Sequence, residues 1–149
     1  VLVSPVASRG LKGLLQRGGP VVMVNRRAGD QAGLAPFVGI DNAAAGAEAA
    51  DFLFDAGVQR PALIHSSFAS SAIADRAGGF LRRLAARGVP RGAIRVAASE
   101  RLRHLEAGYE AAQRLVASGG WPEGLMCTSD QMAYGAYRLA GETGRAVPG

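Results

Sequence analysis

Ser129, Asp130 and Gln131 form a polar triplet between a short apolar run and a helical pattern. The run, residues 125–127, has the length of a buried strand, so the triplet stands where a strand passes into a helix. In an open α/β sheet this edge is where ligands bind. Hydroxyl, carboxylate and amide groups there can hydrogen bond a polar small molecule, and none of them forms a nucleophile–base pair. The triplet therefore predicts recognition of a small molecule rather than catalysis.

Asp130 is predicted to cap the helix that follows, because its carboxylate can accept hydrogen bonds from the free N–H groups of the first turn. Met132, Ala136 and Leu139 then recur at helical spacing, and Gly144 is a suitable C-terminal stop. Asp130 thus has a structural role open to it besides ligand contact.

Helix-ending glycines recur at intervals of about 30 residues, at Gly57, Gly88 and Gly119. An amphipathic stretch precedes each of them, and a short apolar run (residues 62–64, 93–97 and 125–127) follows each. One strand and one helix per repeat is the βαβ unit, which builds a parallel sheet. Residues 41–149 are therefore predicted to form an α/β sheet with helices on both faces.

The helices of this part also have start signals and predicted core faces. Asp41 with Asn42, Ser70 with Ser71, and Ser99 each precede a helical run. The first run, which ends before Gly57, is predicted to face the core with four apolar residues: Ala49, Phe52, Leu53 and Ala56.

The order of elements before Gly57 is different. A strand at residues 1–3, a helix near 11–16 and strands at 21–24 and 37–40 are predicted, with a polar loop at 25–35. The phase changes at Asp41 and Asn42, so a subdomain boundary is predicted there. Residues 1–40 are interpreted as the remainder of an N-terminal subdomain, and 41–149 as a C-terminal subdomain that lacks its last strand.

Composition favours one soluble globular unit of the cytoplasm. The 149 residues are 48% hydrophobic and 19% charged, and no apolar run approaches the roughly 20 residues of a membrane helix. Cys127 is the only cysteine, is predicted to be an inert core residue, and weakly indicates a reducing compartment. The net charge is +5, because sixteen arginines and one lysine are offset by twelve aspartates and glutamates. The sequence has no helix-turn-helix pattern and no zinc-ligand spacing, so this chain is not predicted to bind DNA by itself.

Six segments together are similar to a known family: PVVMVNR (20–26), VGIDNAAAG (38–46), SSAIADRAGGF (70–80), GYEAA (108–112), SDQMAYGA (129–136) and VPG (147–149). In order and spacing they resemble the effector-binding core of lactose/galactose-repressor-type bacterial transcription regulators. The resemblance covers essentially the whole chain. Each motif alone is a weak signal of the family. Their occurrence together, in this order and at this spacing, is specific.

The resemblance implies a periplasmic-binding-protein-like fold, in which two Rossmann-like subdomains with parallel sheets enclose a cleft. It implies a homodimer that binds operator DNA through a headpiece absent from this chain, and that senses a small effector such as a sugar, a sugar acid or a related metabolite. No enzyme activity, cofactor, metal site or membrane contact is implied.

Four site residues follow from matching positions. Arg76 matches the arginine that fixes the effector's hydroxyls or carboxylate, a role that suits its planar fork of donors. Ser129 matches a polar ligand contact, and Asn25 and Arg26 match a strand-end pair that faces the cleft from the other subdomain. The alternative for Arg76 is an ion pair with a neighbouring carboxylate, Asp75 or Asp130.

Three further residues are candidates for ligand contact. Arg103 stands where the family usually has an aromatic residue that stacks on the effector. Either Phe68 takes that role, or the ligand is anionic, such as a sugar acid or sugar phosphate. His65 ends a strand on the cleft side, and without a second ligand at suitable spacing it predicts no metal site.

Two other functions stay open at this point. A periplasmic sugar-binding protein of an ABC transporter has the same fold, and an N-terminal signal peptide in place of a DNA-binding headpiece would distinguish it. An enzyme on a Rossmann-like frame is the third possibility, but the sequence has no G-x-G-x-x-G after a strand, no P-loop and no triad motif.

Overall fold

The structure, a computed structural model, describes residues 2–3, 9–18, 20–25, 27, 35–67, 70–99 and 104–148. Within these ranges the chain forms two parallel sheets of three strands each, one before residue 41 and one after it. The prediction of parallel α/β architecture is therefore confirmed. None of the described helices is long and apolar enough to cross a membrane.

The first sheet is small and carries one described helix. Its strands pair in the order β1-β2-β3. Leu11 of the helix packs with Val21 and Met23, and these three buried side chains form the core of this part. The elements are β1 (Leu2–Val3), α1 (Arg9–Gln16), β2 (Met23–Val24) and β3 (Phe37–Val38).

The second sheet is larger and has the strand order β5-β4-β6. Each strand is joined to the next by a helix, as the repeat of strand and helix predicts. The elements are α2 (Asn42–Asp55), β4 (Pro61–Ser66), α3 (Ser71–Ala86), β5 (Arg95–Ser99), α4 (His104–Ala117), β6 (Gly124–Cys127) and α5 (Asp130–Glu142).

The central strand β4 is buried on both faces. Leu63 points into a core formed with α2 and α3, while Ala62 and Ile64 point into a second core formed with α4 and α5. Alternate side chains of a strand face opposite sides of its sheet, so one strand serves both cores. The prediction of helices on both faces is confirmed.

Glycines let the helices of each pair approach one another closely. A Cβ atom at Gly79 of α3 would overlap the carbonyl oxygen of Ala43 in α2, and one at Gly46 would overlap the carbonyl oxygen of Arg76. Gly108 and Gly135 meet the backbone of α5 and α4 in the same way. Both seams thus need residues without a side chain.

The predicted boundaries of α4 are corrected at both ends. Ser99 is the last residue of β5 rather than a helix start, and α4 begins at His104. At the other end Gly120 has the positive φ angle, not Gly119. The Gly120 N–H donates to the Val116 carbonyl at 2.7 Å, so the glycine of the C-terminal turn is one residue later than predicted, although the helix itself ends at Ala117.

Phe52 is not a core residue, contrary to the prediction. Its exposed fraction is 76%, whereas Ala50 is fully buried. The buried side of α2 is set by its contact with α3 through Gly46 and Ala50. Phe52 lies two residues beyond Ala50, about 200° around the helix, and therefore points away from this contact.

Candidate functional site

Arg76 joins three elements at one end of the second sheet. Its side chain is half-buried on α3. One terminal nitrogen donates to Asn42 Oδ1 at 2.7 Å, and the other donates to the Thr128 carbonyl, which follows β6. Both acceptors are neutral oxygens rather than the carboxylates of Asp75 or Asp130. The charge of Arg76 is therefore held in place without being neutralised by these two bonds.

Asn42 is a buried member of this arrangement, although its sequence pattern predicted only a helix start. Asp41 is the actual cap of α2, because its carboxylate accepts from the Ala44 N–H at 2.9 Å. Asn42 does not cap the helix, so its side chain is available to Arg76. Its Nδ2 also donates to the Ile40 carbonyl at 3.4 Å. The one hint in the sequence is that Asp41 already supplies a cap, so Asn42 is not needed for it.

The cap of α5 is Ser129, so the prediction that Asp130 caps this helix is wrong. Ser129 has extended backbone angles, and its Oγ accepts from the Met132 N–H at 3.4 Å. Asp130 is the first helical residue and is exposed, where its charge still favours the positive end of the helix.

Arg76, Ser129 and Asp130 border one cavity of about 600 Å³. The cavity runs along β6 and α5, and its other walls include Phe52 and Trp121. The exposure of Phe52 is thus explained in part by its position on this rim. The cavity combines a held arginine and a serine with a largely apolar wall, which is a common composition of small-molecule sites.

A second cavity, of about 380 Å³, lies between the first sheet and the helices α2 and α3. Asn25 lines it from the end of β2, in the left-handed conformation with φ of 67°. Asn42 lines it from α2, and Ser71 and Asp75 line it from α3. Asn42 lines this second cavity, Arg76 lines the first, and their side chains are hydrogen bonded to each other. The Asn42–Arg76 pair therefore lies between the two cavities.

Arg27 ties the first part of the chain to α3. Its backbone N–H donates to Ser71 Oγ at 3.0 Å, and that hydroxyl is 3.4 Å from the Arg27 carbonyl oxygen. The Arg27 guanidinium lies over the Phe37 ring, 4.1 Å from its centre. Arg27 also lines the second cavity, which we call the polar cavity, so a second cation is present there.

Of the other predicted site residues, the structure describes only His65. His65 is half-buried, with Nδ1 at 3.1 Å from the Ser66 carbonyl oxygen, and it lines neither cavity. Arg26, Phe68 and Arg103 lie outside the described residues. Their proposed contacts with a ligand remain predictions.

Residues 10–149 match the family described as periplasmic binding proteins and the sugar-binding domain of the LacI family. The chain belongs to this family. The earlier resemblance to lactose/galactose-repressor-type regulators and the fold that it implied are thereby confirmed. No curated protein sequence matches this one closely enough to count as a relative.

Three solved structures illustrate the likeness of this LacI-family chain to known regulators. A LacI-family transcriptional regulator from Burkholderia phymatum is 27% identical, with a TM-score of 0.82 over 98% of this chain and 53% of that one. The Cra dual regulator from Pseudomonas putida, in complex with fructose 1-phosphate, is 28% identical, with a TM-score of 0.78 over 95% and 50%. A sugar-binding LacI-family regulator from Escherichia coli, complexed with phosphate, is 25% identical, with a TM-score of 0.73 over 93% and 49%. The chain therefore spans about half the length of these structures.

Cys127 does not contribute a reactive group to the cavity of this LacI-family chain. It borders the cavity from the end of β6, but burial raises the pKa of its thiol to about 12. At pH 8 only about one thiol in 10⁴ is then a thiolate, the reactive form. We expect iodoacetamide at pH 8 to leave the folded protein unmodified and to alkylate Cys127 fully in urea, as measured by intact mass. Rapid alkylation of the folded chain would contradict this assignment.

Proposed function

We propose that this chain is the effector-binding core of a LacI-family transcriptional regulator that senses a small polar metabolite, a sugar or a sugar derivative. The observation that carries the proposal is Arg76, which is half-buried at the strand ends and bonded to two neutral oxygens. A guanidinium has more N–H donors than these two bonds use. The remaining donors can hold vicinal oxygens of an effector in a fork.

The proposed site spans both cavities. Arg76 and Ser129 contribute donors from the second subdomain, with Asp130 beside them, and Asn25 contributes an amide from the first part of the chain. Asn42 orients Arg76 and faces the polar cavity itself. The subdomain boundary belongs at residue 41 in this proposal, so that closing the cleft changes the distance between Asn25 and Arg76.

Effector binding is proposed to alter operator affinity through a DNA-binding headpiece in a homodimer. The described structure favours such a division of labour, because two arginines at the C-terminal end of α3, Arg83 and Arg87, are engaged within the fold. Arg83 and Arg87 bond the Asp51 carboxylate of α2 at 2.8 Å each, and the Arg83 hydrogen bond is the main cause that lowers the pKa of Asp51. These cations therefore hold α2 against α3 and are less suited to contact phosphates of DNA.

Two of the similar solved structures help to define the proposed effector class. The Pseudomonas putida regulator is in complex with fructose 1-phosphate, and the Escherichia coli regulator is complexed with phosphate. Arg27 and Arg76 place positive charge beside the polar cavity of this chain. Sugar phosphates and sugar acids therefore belong in the screen beside neutral sugars and nucleosides.

A thermal-unfolding screen of the complete regulator tests the proposal. An effector at 100 times its Kd should stabilise the folded protein by about 2.7 kcal/mol. The same compound should change operator affinity in a mobility-shift assay. Stabilisation by a compound that the protein then converts chemically would instead indicate an enzyme, and a full panel without any effect would contradict the proposed function.

A further inference from the structure

β5 forms an open edge of the second sheet. It pairs with β4 on one side, and the described part of the chain places no strand on its other side. The Ser99 carbonyl faces β4, because it accepts from the Ser67 N–H at 2.9 Å. Backbone groups of successive residues point to opposite sides of a strand, so those of Val96 and Ala98 point away from β4. An open edge of this kind can pair with a strand of another molecule.

The side chains at this edge are also suited to pairing. Val96 is 47% exposed, and Ala98 is exposed as well. They are two residues apart and therefore lie on the same face of the sheet. Leu63, the partner of Val96 on β4, is fully buried by α2 and α3, so these helices cover the central strand but not the edge. β5 thus presents a short apolar strip beside its outward backbone groups.

One of these outward backbone groups is already occupied by a side chain. Arg114 of α4 donates from a terminal nitrogen to the Ala98 carbonyl oxygen at 2.6 Å. Arg114 is exposed, so this bond places a solvated positive charge at the edge of the strand. Arg95 of β5 has a different role, because it donates to the carbonyls of Leu115 and Gly120 at the end of α4. The residue that covers the edge is therefore Arg114.

The geometry of the edge defines how two copies of it could join. Identical edges pair symmetrically when their strands run antiparallel about a two-fold axis. With the axis at Ala97, Val96 of each copy lies opposite Ala98 of the other, and each such pair exchanges both of its N–H···O bonds. One bond of each pair must then accept at an Ala98 carbonyl, which Arg114 occupies. Pairing would also bring the two guanidinium groups together.

We propose that Arg114 keeps the β5 edge closed to a second copy of this chain, and that loss of its guanidinium allows two copies to pair through β5. This role concerns self-association and is independent of the effector cleft. In an assembly that already has another interface, such as the proposed homodimer, a second joining edge would link assemblies into open-ended chains. Arg114 therefore keeps the assembly at a defined size.

Sedimentation velocity of the complete protein over a series of concentrations tests this role. We expect Arg114→Ala to associate beyond the oligomeric state of the parent, with an association constant at least about tenfold higher, because the Ala98 carbonyl becomes available to a backbone donor. Amide hydrogens of Val96 and Ala98 should exchange more slowly in the associated variant. Arg82→Ala removes the same charge from an exposed position on α3 and should keep the state of the parent.

A second substitution separates strand pairing from a general loss of stability. Val96→Lys places a charge on the exposed face of the edge, which is a common way for edge strands to avoid pairing. Combined with Arg114→Ala, it should restore the oligomeric state of the parent. The proposal is overturned if Arg114→Ala keeps the parent's state at every concentration. It is also overturned if Arg82→Ala associates equally, or if Val96→Lys does not reverse the association.

Discussion

Replacing Gly79 by alanine is expected to lower the free energy of unfolding by about 3 kcal/mol and the Tm by roughly 10 °C. The added methyl group would overlap the Ala43 carbonyl oxygen of the neighbouring helix. Alanine is favoured over glycine in a helix by only about 1 kcal/mol, so the overlap outweighs the gain. The helices cannot separate easily, because Phe80 is fully buried beside the seam and Arg83 bonds Asp51 across it.

The matched control is Gly141→Ala on α5. A Cβ atom at Gly141 meets nothing within 4 Å. Here only helix propensity acts, and we expect stabilisation of about 0.5–1 kcal/mol. Urea unfolding followed by circular dichroism measures both variants. Equal effects at Gly79 and Gly141 would show that the seam between α2 and α3 is looser than the structure indicates.

Arg76→Ala is expected to reduce the affinity for the effector at least tenfold and to destabilise the fold by about 1.5–3 kcal/mol. The effector loses a charge-assisted contact, and the buried oxygen of Asn42 loses its donor. Arg76→Lys should recover little of either quantity, because one ammonium group cannot reproduce the planar fork that holds Asn42 and Thr128 together.

Calorimetry with the compound identified by screening gives the affinity, and urea unfolding gives the stability. Arg82→Ala is the control, since Arg82 is an exposed arginine on the same helix and should change either free energy by less than about 0.5 kcal/mol. A folded Arg76→Ala protein that binds the effector with normal affinity would restrict Arg76 to a structural role.

The strand and helix repeat of residues 41–149 was predictable because its signals are local. The apolar run at 62–64 is bounded by a helix-ending glycine, and alternate side chains of such a run reach opposite cores. The short strands β2 and β3 of the first sheet carry no such signal in two residues each, so their bounds were predicted too widely. The side of α2 that is buried was also not predictable, because glycine contacts with α3, rather than hydrophobicity, decide it.

Only those residues of the candidate site that match positions of the family could be predicted from the sequence. Arg76 and Ser129 were placed at the cavity by matching positions, and the structure puts both there. Asn42 was missed because its partner lies 34 residues away, across a helix seam that has no pattern in the sequence. Ser70 was assigned as an ordinary helix start, and only the three-dimensional structure shows that its hydroxyl makes no capping bond.

The position of β4 has a consequence for the order in which the molecule opens. The strand pairs with β5 on one side and β6 on the other, and helices cover both of its faces. Amide hydrogens at Leu63 and Ile64 can therefore reach solvent only when the second sheet and its helices open together, whereas those in exposed loops are released by local fluctuations. Hydrogen exchange at the centre of β4 consequently reports global unfolding, and a ligand that binds only the folded protein slows this exchange by raising the free energy of unfolding.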